Sequence, residues 1–224
     1  TLQHPNIVSC PGLEYSPTGR YLVMDYCRGG TLRELMESEN KPDPLQSLKL
    51  ITDILLGLEY AHDHNIVHCD LKPENILLEP QEKGWTARIS DFGIARLSEE
   101  VNPVKISIGD TGSPAYMAPE RFYGRYSHAS DLYAIGVILF ELLVGERPFS
   151  GIFGDLRNAH LNQSVDIPDT VPMIVRSIIS QALQKLPQRR FTFACEMLQS
   201  IQMAVQVITA STGSPKKERI RKRG

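Results

Sequence analysis

Cysteine is scarce and poorly spaced for pairing. The four residues, Cys10, Cys27, Cys69 and Cys195, form no C-x-x-C pair. That excludes a disulfide-stapled secreted scaffold and fits a reducing, cytoplasmic compartment. Long apolar runs are missing as well. The longest, "YAIGVILF" from Tyr133 to Phe140, is closed by Glu141 and is too short to span a bilayer. No signal-peptide pattern and no internal repeat is present. A net basic charge is absent from the body of the chain. The last nine residues, "KKERIRKRG", hold six Lys/Arg against one Glu, which leaves −7 on the remainder of a chain of formal charge −2. An acidic body argues against nucleic-acid binding. The basic tail reads first as solvated, and second as a contact for an anionic surface.

What is present is material for a core. Of 224 residues, 42% are hydrophobic and 22% charged, enough for one large domain or two small ones. The chain begins with Thr1 rather than Met, as a fragment would. From Ile7 to Tyr26 the pattern predicts strands, with "YLVMDY" rich in β formers after the turn signal "SPTGR". In "CRGGTLRELMES" two glycines end the strand region, Thr31 is placed to cap, and Leu32, Leu35 and Met36 share a helical face. Leu48, Ile51, Leu55 and Leu58 predict a helix over 45–62. "NIVH", "NILLE" and "TARISDF" read as short strands between polar turns. Residues 130–144 predict a buried helix, apolar nearly all round. "MIVRSIISQALQ" and "FTFACEMLQSIQMAVQVI" predict two more, with "LPQRR" between them. The last residues turn polar and basic and read as disordered.

One stretch concentrates chemistry: "HDHNIVHCDLKPENILLE", His62 to Glu79. A metal reading has His62, His64, His68 and Cys69 as ligands, but their spacing matches none of the usual ligand pairs. His62, at a helix end, also reads as a partner of the helix dipole. The second reading is a phosphoryl-transfer loop. Such chemistry needs a carboxylate near the acceptor hydroxyl, a cation near the γ-phosphate and oxygen ligands for Mg²⁺. "HCDLKPEN" supplies Asp70, Lys72 and Asn75, and "SDFG" supplies Asp91 sixteen residues after Asn75. A hairpin between them would bring Asn75 and Asp91 side by side, a sparse amide and carboxylate set that suits magnesium.

These strings, in this order, resemble a eukaryotic-type (Hanks-type) serine/threonine protein kinase over roughly residues 4–205. "HCDLKPEN" resembles the H-R-D-L-K-x-x-N catalytic loop, "DFG" is intact, and "YMAPE" holds A-P-E. The resemblance implies an α+β, protein kinase-like fold, mainly the helical C-lobe. Residues 1–27 would be the last strands and hinge of the N-lobe, 28–207 the C-lobe and 208–224 a basic tail. It implies ATP and Mg²⁺ as cofactors and a protein Ser/Thr hydroxyl as acceptor. Asp70 would take the acceptor proton, Lys72 contact the γ-phosphate, and Asn75 and Asp91 hold Mg²⁺. Met24, Asp25, Cys27 and Leu77 would line the nucleotide site with Asn75 and Asp91. His68 would stack on Phe92, Ser113 would lie near Asp70, and Asp131 would bond the catalytic-loop backbone. Glu120 would pair with Arg190, a contact that also reads as purely structural. Asp131 remains readable as a helix N-cap, Asp91 as a turn residue, and Gly93 and Gly112 as turn glycines. Lys72 and "GSPAYMAPE" favour Ser/Thr over Tyr specificity.

Two departures from the family pattern stand out. The resemblance starts just after the first large N-lobe helix, so the chain as given is expected to lack the Gly-rich loop and the strand lysine, and to be inactive in isolation. The arginine of H-R-D is Cys69, a side chain that cannot pair with a phosphate. Activity without phosphorylation of Ser107 or Thr111 is therefore expected, unless Arg96 or Arg121 takes that arginine's place. The alternative to a kinase is a catalytically inactive pseudokinase or scaffold module.

Overall fold

The computed structural model describes residues 2–92, 96–97 and 113–212. The expectations for Gly93, Ser107, Thr111, Gly112, the Arg96 side chain and the basic residues after 212 fall outside the described residues. The polypeptide opens with an antiparallel hairpin, β1 (Gly12–Ser16) and β2 (Gly19–Val23), with Tyr15 opposite Arg20. The "SPTGR" signal is its turn, where the Thr18 N–H donates to Ser16 Oγ at 3.1 Å. All ten strand residues are exposed, so the β formers here are not core.

Two glycines then pin the chain to the rest of the molecule. The Gly29 N–H donates to Leu78 O at 2.8 Å and the Leu78 N–H to Gly30 O at 2.9 Å. A Cβ on Gly29 would sit 2.7 Å from both Leu78 O and the Trp85 ring, so only glycine permits this approach. Helix α1 (Leu32–Glu37) follows. Its capping box is made by Thr31 Oγ1, which accepts from Glu34 N, and Glu34 Oε2, which accepts from Thr31 N. Helix α2 (Pro44–Asp63) starts on a second box between Asp43 and Gln46, with Pro44 in its first turn. Leu48, Ile51, Leu55 and Leu58 are fully buried along it.

Short strands come next. β3 (Ile66–Val67) pairs antiparallel with β6 (Arg96–Leu97), and β4 (Ile76–Pro80) with β5 (Trp85–Ile89). The β4–β5 register sets Ile76 opposite Ile89. Asp53 of α2 fastens this hairpin to the helix by accepting from Ala87 N at 3.0 Å.

Helix α3 (His128–Val144) is the central element. Ile135, Val137, Ile138 and Leu139 are fully buried, and each such side chain contributes about 1.5–3 kcal/mol. A Cβ at Gly136 would lie 2.7 Å from that of Ala182, so this glycine sets how closely α3 meets α5 (Met173–Ala182). Helices α4 (Phe153–Asn162) and α6 (Ala194–Thr212) complete the molecule. α4 has no counterpart in the sequence reading, because Gly154, Asp155, Arg157, Asn158 and Asn162 interrupt any apolar stripe. α6 runs to Thr212, so the helix extends into the stretch read as tail from 208. The result is an α+β architecture, small antiparallel pairs packed on a helical body.

Candidate active site

The catalytic-loop segment is built on Asp131. This residue lies inside α3, behind the N-cap Ser127, so the N-cap reading does not hold. Its carboxylate is almost fully buried and accepts three hydrogen bonds: from His68 N at 2.8 Å, from Cys69 N at 3.0 Å and from His62 Nε2 at 3.0 Å. Burial alone would raise its pKa. The His62 hydrogen bond and charge, His68 and its N–H outweigh that and hold it below the ordinary carboxylate value. His62 is thus a buried partner of Asp131 as well as a helix-end residue. His64 Nδ1 bonds Tyr60 O at 2.7 Å. The histidines of the metal reading are engaged with protein groups, and among the described residues no cluster of three His, Cys, Asp or Glu could hold a metal.

His68 fixes the next step. Its Nδ1 accepts from Asp70 N at 3.2 Å, so its Nε2 carries the proton bonded to Ser90 O at 2.8 Å. Burial, the largest influence, pushes its pKa down against the pull of Asp131. Phe92 packs against it edge-on, ring centroids 4.6 Å apart. Cys69 takes a left-handed φ of 68°, uncommon for a residue with a Cβ. Its carbonyl accepts from Arg121 Nη1, so a guanidinium from another element reaches the residue where the family motif has its arginine.

Asp70 is gripped from three sides. Its Oδ2 meets Lys72 Nζ at 3.0 Å and Asn75 Nδ2 at 3.2 Å; Asn75 Nδ2 also donates to Asp70 O at 2.9 Å. Its Oδ1 accepts from Ser113 N at 3.0 Å. A 3-10 turn at Pro73–Asn75 carries the amide to this position. Asn75 O accepts from both the N–H and the hydroxyl of Ser90, at 2.9 and 3.0 Å. Asp91 follows Ser90 directly, just past the end of β5. Asp91 is exposed, with φ 58°. With the Asn75 amide nitrogen committed to Asp70, its side-chain oxygen is left as a hard donor, as are the carboxylate oxygens of the exposed Asp91.

The expected nucleotide-site residues are more scattered in environment. Met24 is exposed, Cys27 buried and Leu77 half-buried. Asp25 is held by its N–H to Ser9 O at 2.9 Å and by Arg88 Nη2 to its carboxylate at 2.8 Å. Burial, ahead of the nearby Arg88, pushes the Cys27 thiol up.

Beneath the site, Arg190 holds Glu120 with two hydrogen bonds, 2.7 and 2.8 Å, and donates further to Gln184, Lys185 and Ala129 carbonyls. Sequence reasoning missed one cluster. Arg33 of α1 bonds Glu74 Oε1 at 2.9 Å, Glu141 Oε1 at 3.0 Å and the Tyr116 hydroxyl. No local spacing signals it, since Arg33 and Glu141 are 108 positions apart.

The chain belongs to the protein kinase domain family, whose family model matches residues 1–202. It is 34% identical over 198 residues to the serine/threonine-protein kinase RUNKEL of Arabidopsis thaliana, covering 87% of this chain and 14% of that protein. It is 33% identical over 208 residues to the serine/threonine-protein kinase PknB of Mycolicibacterium smegmatis, covering 88% and 33%. It is 33% identical over 210 residues to the serine/threonine-protein kinase PrkC of Bacillus subtilis, covering 91% and 32%. The chain therefore spans a third or less of the length of these relatives.

Proposed function

We propose that this chain carries the catalytic loop of an ATP- and Mg²⁺-dependent serine/threonine protein kinase. The observation that supports this most is the setting of Asp70. One carboxylate oxygen faces the Lys72 ammonium and the Asn75 amide, and the other faces the Ser113 N–H. A carboxylate so held is oriented for one task, accepting the proton of an acceptor hydroxyl. Lys72 brings a cation beside it, suited to a transferring phosphoryl group.

Asn75 and Asp91 would hold Mg²⁺, and Met24, Asp25, Cys27 and Leu77 would line the adenine side. When bound, the Mg²⁺ nucleotide supplies the phosphoryl group and neutralises its developing charge. Lys72 in "DLKPEN" and the segment from Ser113 to Glu120 support Ser/Thr acceptors, as do the names of the relatives. The partner is accordingly a protein substrate. All four cysteines are free, in keeping with a cytoplasmic, reducing setting. No helix among the described residues is long and apolar enough to cross a membrane.

The test uses the full-length protein, γ-labelled ATP, Mg²⁺ and a generic basic acceptor protein, followed by phosphoamino-acid analysis. Wild type is expected to label serine or threonine, and Asp91→Ala to lower incorporation at least ~100-fold, since positioning and metal ligation supply most of the rate. Equal labelling by the two proteins would leave a non-catalytic module as the reading.

A further inference from the structure

Asp131 holds the catalytic loop, and a second histidine stands behind the one that holds Asp131. His62 donates from Nε2 to Asp131 Oδ2 at 3.0 Å. The His128 ring stacks on the His62 ring, with centroids 4.0 Å apart and planes 11° from parallel. Asp131 accepts the His68 and Cys69 N–H groups, so the loop hangs on the same carboxylate. His62 Nδ1 and His128 Nε2 are buried and have no hydrogen-bond partner among the described residues.

Position in the fold decides which ring takes a proton. His62 lies in the last turn of α2 and faces Asp131, where the helix dipole and the carboxylate both favour a cation. His128 is the first residue of α3, where the dipole disfavours one. A proton on His128 would also leave its buried Nε2 as a donor with no acceptor. Two imidazolium rings 4.0 Å apart would repel each other. The remaining charged groups keep this order. Asp131 and Asp63 pull a proton toward His128, but burial first, and then His62, outweigh them and lower its pKa. The Glu120–Arg190 pair meets this end of α3 with opposite charges, at Ser130 Oγ (2.7 Å) and Ala129 O (3.0 Å). Arg121 is bonded to the Cys69 carbonyl.

We infer that His128 is a positioning residue for the catalytic loop, acting through His62 on Asp131, and that it does so only while uncharged. For its effect on phosphate transfer the inference rests on the kinase reading above. The neutral His128 ring keeps His62 in place to donate to Asp131. Protonation of His128 parts the rings and disturbs the first turn of α3, which carries Asp131. The N–H groups of His68 and Cys69 then lose their common acceptor, and Asp70 is the next residue along. Because the folded pKa of His128 lies below its ordinary 6.5, the grip on the loop is complete above pH 6.5 and is lost as pH falls through the folded value.

The experiment takes full-length protein from pH 7.5 to 5.5 with two readouts. One is the hydrogen-exchange protection of the His68 and Cys69 amides, corrected for intrinsic exchange rates. The other is the single-turnover rate of phosphate transfer to a serine peptide. Each is expressed relative to the same protein at pH 7.5. Wild type is expected to lose ~10-fold or more in both across this range. His128→Phe keeps a stacked ring that cannot take a proton, and it is expected to lose less than ~3-fold. His128→Gln has neither ring nor titrating group. It is expected to show weaker protection at pH 7.5 with the same flat profile, and it serves if His128→Phe folds poorly. A residue with a merely structural role would change the level of protection and leave the wild-type pH dependence in place. Equal pH dependence in wild type and the variants, or protection in wild type that does not change with pH, would overturn the inference. Acid loss of protection confined to wild type, in a protein that transfers no phosphate at any pH, supports the role of His128, and in that case it is the kinase reading that fails.

Discussion

Two histidines illustrate how burial decides chemistry residue by residue. Burial pushes the His68 pKa down, and its two nitrogens are assigned by a donor on one side and an acceptor on the other. His160 is the second case. It is buried among Phe122, Phe149 and Tyr133, with its Nδ1 2.8 Å from the Tyr133 hydroxyl. Burial first, then the Lys185 charge, lowers its pKa from 6.5 to about 4. The unfolded chain protonates this histidine near 6.5 and the folded chain does not. Its contribution is therefore complete above pH 6.5 and is lost as pH falls toward 4, up to about 3 kcal/mol. Denaturant unfolding of wild type and His160→Gln between pH 7 and 4.5 is expected to show a shallower loss of stability in the variant. Parallel curves would place the titration elsewhere. Cys69 is the residue at which the family motif is broken. Its left-handed backbone persists without the motif's arginine, with Arg121 bonded to its carbonyl and Asp131 to its N–H.

Between elements, the Glu120–Arg190 pair ties the segment before α3 to the loop before α6. Arg190 donates every one of its bonds to a protein acceptor and lies over the Tyr133 ring at 4.8 Å. Breaking such a pair leaves a buried charge alone, so Arg190→Ala is expected to lose about 3–5 kcal/mol. Replacing both residues, Glu120→Met with Arg190→Met, is expected to lose less than that single change. Denaturant midpoints of the three proteins check the order, and a double variant worse than Arg190→Ala would contradict it. This pair was legible beforehand because both partners sit in recognisable strings. The helices were legible wherever apolar residues recur with a helical period, as Leu48, Ile51, Leu55 and Leu58 do. α4 was not, since its composition carries no such stripe. The β1–β2 hairpin was legible from its turn, whereas its full exposure was not, because β formers do not announce what covers them. Arg33 was invisible for a different reason. Its partners come from a turn, a second turn and the last turn of α3, and no pattern within one segment links them.

At the scale of the whole molecule, the arrangement is one buried helix with a site at its N-terminal end. α3 supplies Asp131 to orient the catalytic loop, Glu141 to the Arg33 cluster, and the packing surface for α2 and α5. Asp70, Lys72 and Asn75 lie close together in sequence, which is why their contacts were readable. What folding adds is the support beneath them: acceptors for the N–H groups of His68, Cys69 and Asp70, and a fixed tautomer for His68. The role proposed for Asp70 is to act on the acceptor hydroxyl and not on the nucleotide. The most direct measurement compares Asp70→Asn with wild type in the full-length protein, reading the single-turnover rate of phosphate transfer beside the affinity for Mg-ATP. The predicted result is an affinity within about threefold of wild type and a rate at least ~100-fold lower, about 2.7 kcal/mol of activation free energy. An unchanged rate, or a loss of rate matched by an equal loss of nucleotide affinity, would contradict it.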